Sequence, residues 1–185
     1  LLSHKDDRTV LVEGMHKIAD QFKDPKKVNS YLTDHYQDGT SGPLKDICPF
    51  TVIGMFNRGL TVTNRRAIAG QIANLLGVSE PVPFSFDGIP VLNPQKSWFF
   101  SYEIERKKED IDNLWGVFAS AIHWSSSDDE EERTILLSAY DHAIAVHGVA
   151  WNLSTGLYWI RPWSFPTLDK QSRAYIKSRL GIPIK

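Results

Sequence analysis

The chain has 185 residues, 21 Lys plus Arg against 22 Asp plus Glu, a net charge of −1, and a single cysteine, Cys48. That balance excludes a uniformly basic nucleic-acid coat, and one cysteine excludes an intramolecular disulfide and any cysteine-based zinc site. Apolar residues make up 42%, enough for a core without staples, yet no run of about 18 of them exists to span a membrane. The unusual figure is 11% aromatic residues, with six Trp. The first residues lack a Met and a signal-peptide layout, so the chain reads as a cytoplasmic fragment cut from a longer protein.

Leu11, Met15, Ile18 and Phe22 recur at helical spacing, which predicts a helix ending before Asp24-Pro25. Val28, Leu32 and Tyr36 fit a second short helix, followed by a turn cluster over Asp38–Pro43. A third helix follows Pro49 and stops at Gly59. Thr61 or Thr63 caps a fourth, which buries Ile68, Ile72 and Leu75 and stops at Gly77. Pro81, Pro83, Pro90 and Pro94 then exclude a helix. From Trp98 to Glu105 the even positions are all apolar, which predicts a half-buried strand.

Helical spacing returns at Ile111, Leu114, Trp115, Phe118 and Ile122. Ser125 to Glu132 predicts a solvated loop entering the next helix, whose first turn suits the carboxylates of Asp128 to Glu132. That helix runs through Ile135, Ala139, Ala143 and Val146. Another holds Leu153, Leu157 and Ile160 and stops at Pro162. The last is capped by Asp169, buries Tyr175 or Ile176 and Leu180, and ends at Gly181. The expectation is one domain over residues 1–185: mainly α, with a Pro-rich insert and a small β element around residues 97–105.

Three patterns suggest chemistry that their context weakens. Gly54 to Thr61 has the spacing of a phosphate-binding loop, but Leu60 stands where the phosphate-reaching lysine belongs. Asp87 with Glu105 and Lys107 imitates the acidic pair and lysine of a magnesium nuclease, although Asp87 also fits a turn and Lys107 a charge run. Of the six histidines, His142 and His147 lie about 140° apart around one helix and face different ways. Cys48 has no local motif that would pair it with His147 as a nucleophile. No catalytic residue, metal ligand or cofactor is expected.

Nucleic-acid contact fits better. Arg58, Arg65 and Arg66 flank the start of the fourth helix. From residue 161 onward, Arg161, Lys170, Arg173, Lys177, Arg179 and Lys185 face one carboxylate, Asp169. Phosphate contact requires cations clustered in this way. Exposed rings stack on bases, and Phe99, which breaks the alternation, and Trp163, in a Pro-flanked loop, are the ones expected outside the core. The candidate DNA contacts are therefore Arg58, Arg65, Arg66, Phe99, Trp163, Lys170, Arg173 and Lys177.

Longer strings carry a family likeness. Phe86-Asp87-Gly88-Ile89-Pro90 and Gly156-Leu157-Tyr158-Trp159-Ile160-Arg161-Pro162 are the more specific. Phe56-Asn57-Arg58-Gly59, Lys96-Ser97-Trp98-Phe99-Phe100 and Asp110-Ile111-Asp112-Asn113-Leu114-Trp115 accompany them. Over roughly residues 25 to 180 the chain resembles the region preceding the AAA+ motor of McrB-like proteins in modification-dependent restriction systems. The resemblance implies a recognition domain joined to a ring-forming motor that hydrolyses a nucleoside triphosphate, commonly GTP, and works with a separate nuclease subunit. A coupling domain that binds protein, through the acidic loop and a patch of Trp151 and Trp159, is the second expectation. The magnesium nuclease is the third.

Overall fold

A computed structural model describes residues 1–21, 32–127 and 129–184. The fold is mainly α, as the apolar periodicity predicts. Among the described residues there are seven helices: α1 (Thr9–Gln21), α2 (Pro49–Gly54), α3 (Val62–Leu75), α4 (Asp110–Ser127), α5 (Glu130–Ile144), α6 (Asn152–Ile160) and α7 (Lys170–Arg179). Strands β1 (Thr33–His35) and β2 (Ser41–Pro43) pair antiparallel, with Asp34 opposite Gly42. Among the described residues no helix is long and apolar enough to cross a membrane.

The caps follow their sequence signals. Thr61 accepts the N–H of Asn64 at the start of α3. Asp129 accepts those of Glu131 and Glu132 at the start of α5, so the acidic run serves a helix entry; Asp128 lies outside the described residues. Cys48 caps α2 through its thiol, which accepts the N–H of Thr51 at 3.3 Å. Gly77 and Gly181 take the left-handed conformation just beyond α3 and α7.

Short α2 is central. Phe50 is buried against Phe99 and Phe118, with ring centroids 5.5 and 5.8 Å away. Helix α6 approaches so closely that a Cβ on Gly156 would lie 2.6 Å from the Phe50 ring. Only a glycine permits that approach without movement. Trp115 of α4 is fully buried and donates its indole N–H to the Ile47 carbonyl at 2.9 Å. Helices α4 and α5 pack along each other, and Leu75 of α3 fills the space over Gly14 of α1.

Several expectations fail for identifiable reasons. Residues 98–105 form turns, not a strand. Phe99 directs its N–H to the Thr51 hydroxyl rather than to a ladder, and the N–H groups of Glu105 and Arg106 close a turn on the Tyr102 carbonyl. The Ile104 N–H does reach the hairpin, at the His35 carbonyl 2.9 Å away, but the turn bonds spanning it take the place of a ladder. The β element lies instead at residues 33–43, where Leu32 and Tyr36 were expected on a helix; Val28 of that segment lies outside the described residues. Helix α2 ends at Gly54, before Gly59, because Asn57 and Arg58 turn away to meet Leu92. In α5 Leu136 is buried in place of Ile135, which faces solvent, while Ala143 and, just beyond the helix, Val146 are buried as expected. Helix α7 buries none of its side chains, so Tyr175 and Leu180 are exposed.

Candidate nucleic-acid interface

The eight candidate contacts divide by burial. Arg58 is 1% and Arg65 7% exposed. Arg65 donates from Nε to the Phe56 carbonyl at 2.9 Å and from Nη2 to Asn57 Oδ1 at 2.6 Å. Its guanidinium lies 4.2 Å from the Phe86 ring centroid. The residue therefore fastens the end of α2 to the Pro-rich insert, and burial lowers its pKa. Phe99 is 0% exposed, wedged between Phe50 and Trp159. None of Arg58, Arg65 and Phe99 presents a surface to a polyanion, which corrects the expectation for all three. The sequence hid this because an arginine at a helix start looks the same whether it faces water or a carbonyl.

Arg66 is exposed beside the exposed Phe84, 5.2 Å from its centroid. Trp163 is 99% exposed, the most open large apolar residue among the described residues. Lys170, Arg173 and Lys177 lie three and four residues apart on α7, and that spacing puts them on one face. Together with Trp151, Ala174 and Ile184 they line one shallow recess, and among the described residues lining it there is no Asp or Glu; Asp169, the cap of α7, lies outside the lining but within electrostatic reach of Arg173. Arg173 sits 4.5 Å above the Trp151 ring centroid, which holds its guanidinium in place while leaving it half-exposed.

A second, deeper feature lies nearby. A cleft of about 720 Å³ opens between the loop after α2, the loop of residues 94–105 and the segment joining α5 to α6. Its aromatic wall is Trp98, Phe100 and Tyr102, with Trp98 centred 4.9 Å from Phe100 and 6.4 Å from Tyr102. Buried Arg58, Lys96 and Glu105 bring charge to the lining. Ser101 and His147 meet there, Oγ to Nδ1 at 2.8 Å. The apolar alternation of residues 98–104 was the signal for this wall, although it had suggested a strand. His147 in the cleft and Trp151 in the basic recess are four residues apart, so at most about 14 Å of chain separates them.

Other motifs resolve into structure. Gly54 to Thr61 is the end of α2 and the cap of α3. Glu105 lines the cleft, but Asp87 and Lys107 do not. Asp87 closes a turn on the Ser85 hydroxyl, and the Lys107 N–H binds Asp110 at the entry to α4. Among the described residues no group of three His, Cys, Asp or Glu side chains is placed to hold a metal ion. Cys48 is fully buried, and burial pushes its thiol pKa up to about 12, far from a reactive thiolate. Trp151 and Trp159 do not form an exposed patch. Trp151 lies under Arg173, and Trp159 donates its indole N–H to the Pro90 carbonyl at 2.8 Å.

No curated protein and no solved structure matches the chain. A family match, in contrast, covers residues 1–185, and the chain belongs to the family described as Domain of unknown function (DUF8425).

Proposed function

We propose that this is a non-catalytic DNA-contacting domain, in which the face of α7 carrying Lys170, Arg173 and Lys177 binds backbone phosphates. The observation that supports this reading is the recess those three cations share, with no Asp or Glu among its described lining residues. Clustered cations release the counterions condensed on DNA, and that release drives association even for a chain of near-neutral total charge. Trp163, projecting from the loop just before α7, supplies a ring for stacking on a base or packing along the sugar. Arg66 adds an outlying contact. The resemblance to McrB-like proteins supports a cytoplasmic setting beside an AAA+ motor and a nuclease subunit, where DNA contact by this domain would act in phage defence.

The test is duplex binding across a salt series with modified and unmodified DNA. Three phosphate contacts give log affinity against log salt a slope of about −3. Replacing Lys170, Arg173 and Lys177 together by Ala lowers the magnitude of that slope by about 3, leaving only the outlying Arg66 contribution, and removes most of the binding. Absence of binding to any duplex at low salt overturns the proposal.

A protein-coupling role is the second reading, favoured by the exposed apolar residues Trp163, Tyr175, Leu180 and Ile182 at the same end of the chain. Capture of the motor or the nuclease subunit without DNA, lost in Trp163→Ala, distinguishes it from the first.

A further inference from the structure

We infer that the cleft walled by Trp98, Phe100 and Tyr102 binds a free nucleotide whose base carries an exocyclic amino group. This site is separate from the phosphate-binding face of α7 and does not depend on it. At about 720 Å³ the cleft is the size of a small-ligand site, and its walls are built rather than incidental. Tyr102 is held edge-on against His35, with centroids 4.3 Å apart, and the turn that carries it is bonded to the hairpin through Ile104 and Glu103.

The lining selects the ligand class. Exposed Tyr102 and half-buried Trp98 offer ring surface to a planar aromatic group, with buried Phe100 packed behind them. Exposed Lys96 favours an anion such as a phosphate, and the charge of Arg58, buried behind the lining, adds to the positive field there. Glu105 would repel that anion but accepts from an N–H donor, as the amino group of adenine or cytosine provides. A purely apolar ligand would desolvate Lys96 and Glu105 without a compensating bond. Ser101 and His147 add hydroxyl and ring nitrogen, partners suited to a ribose. A nucleotide satisfies ring, anion and amine together.

The experiment titrates the full chain with AMP, CMP, IMP and UMP, read by calorimetry and by tryptophan fluorescence. AMP or CMP binds saturably and quenches fluorescence, while IMP and UMP bind at least tenfold more weakly. Tyr102→Ala and Lys96→Glu each weaken binding about tenfold or more, and Lys96→Glu, at an exposed position, does so with an unchanged melting temperature. Glu105→Gln narrows the preference for amino-bearing bases. Replacing the three α7 cations by Ala leaves nucleotide binding intact, so the DNA reading and this one fail separately. Absence of binding, IMP and UMP binding as tightly as AMP and CMP, binding unmoved by the cleft variants, or binding of a single-stranded oligonucleotide but no monophosphate overturns the inference.

Discussion

Asp34 and Arg106, 72 residues apart in sequence, form an ion pair of 2.6 Å in which the carboxylate is fully buried. The other carboxylate oxygen accepts the N–H groups of His35 and Glu103. One aspartate thus joins the β hairpin to the turn that carries Tyr102 and Glu105 into the cleft. Arg106 also donates to the Ser101 carbonyl and lies 5.5 Å from the Phe100 centroid. The cleft wall keeps its shape through this pair, without a strand.

Arg106→Ala leaves a buried carboxylate with its backbone donors only, and removing one partner of such a pair costs about 3–5 kcal/mol. Urea unfolding measures the loss. Asp34→Asn, which keeps the acceptor oxygen and its shape, is the milder change. A loss below about 1 kcal/mol in Arg106→Ala would show that the pair does not hold the turn.

Phe99 and Trp163 separate core from surface. Phe99→Ala opens a cavity beside Phe50 and costs about 3–5 kcal/mol. Trp163→Ala stays within about 0.5 kcal/mol of the parent, because its ring is almost wholly in solvent. Thermal melting compares the two directly. Equal melting temperatures would contradict the burial assigned to Phe99.

Helix α7 should respond to acid before the core does. Asp169 accepts the Ser172 N–H at 2.7 Å, and the hydrogen bonds from Ser172 hold its carboxyl below the ordinary value of 3.8. A lowered folded-state pKa means that the cap contributes above the unfolded value and fades as pH falls through the folded one. Since no side chain of α7 is buried, loss of the cap frays the helix locally. Amide exchange in α7, measured against α4, should rise as pH drops below about 4. In Asp169→Asn, which caps without titrating, that rise should disappear. A parent whose α7 and α4 respond alike would refute the local link.

Much of the framework was legible because it is local. The cap at Asp169 depends on the few residues after it, and the stops at Gly77 and Gly181 on glycine's access to the left-handed region. The stripe of Lys170, Arg173 and Lys177 follows from helical spacing alone. The aromatic segment from Trp98 was conspicuous, but its alternation misled. Phe99 found Thr51, Phe50 and Trp159, all remote in sequence, and those contacts overrode the period-two pattern. The hairpin at residues 33–43 escaped notice because three-residue strands are too short to display alternation.

The sequence by itself determined the mainly helical class, most helix boundaries and the cationic face of α7, since spacing and capping act within a few residues. Only the tertiary structure decided that Arg65 fastens a loop and Phe99 fills the core, whereas Trp163 stands in solvent as its Pro-flanked loop predicts. It alone brought Arg58, Tyr102 and His147 to one cleft. Burial depends on what the rest of the chain packs against a side chain, and no local window of sequence contains that information.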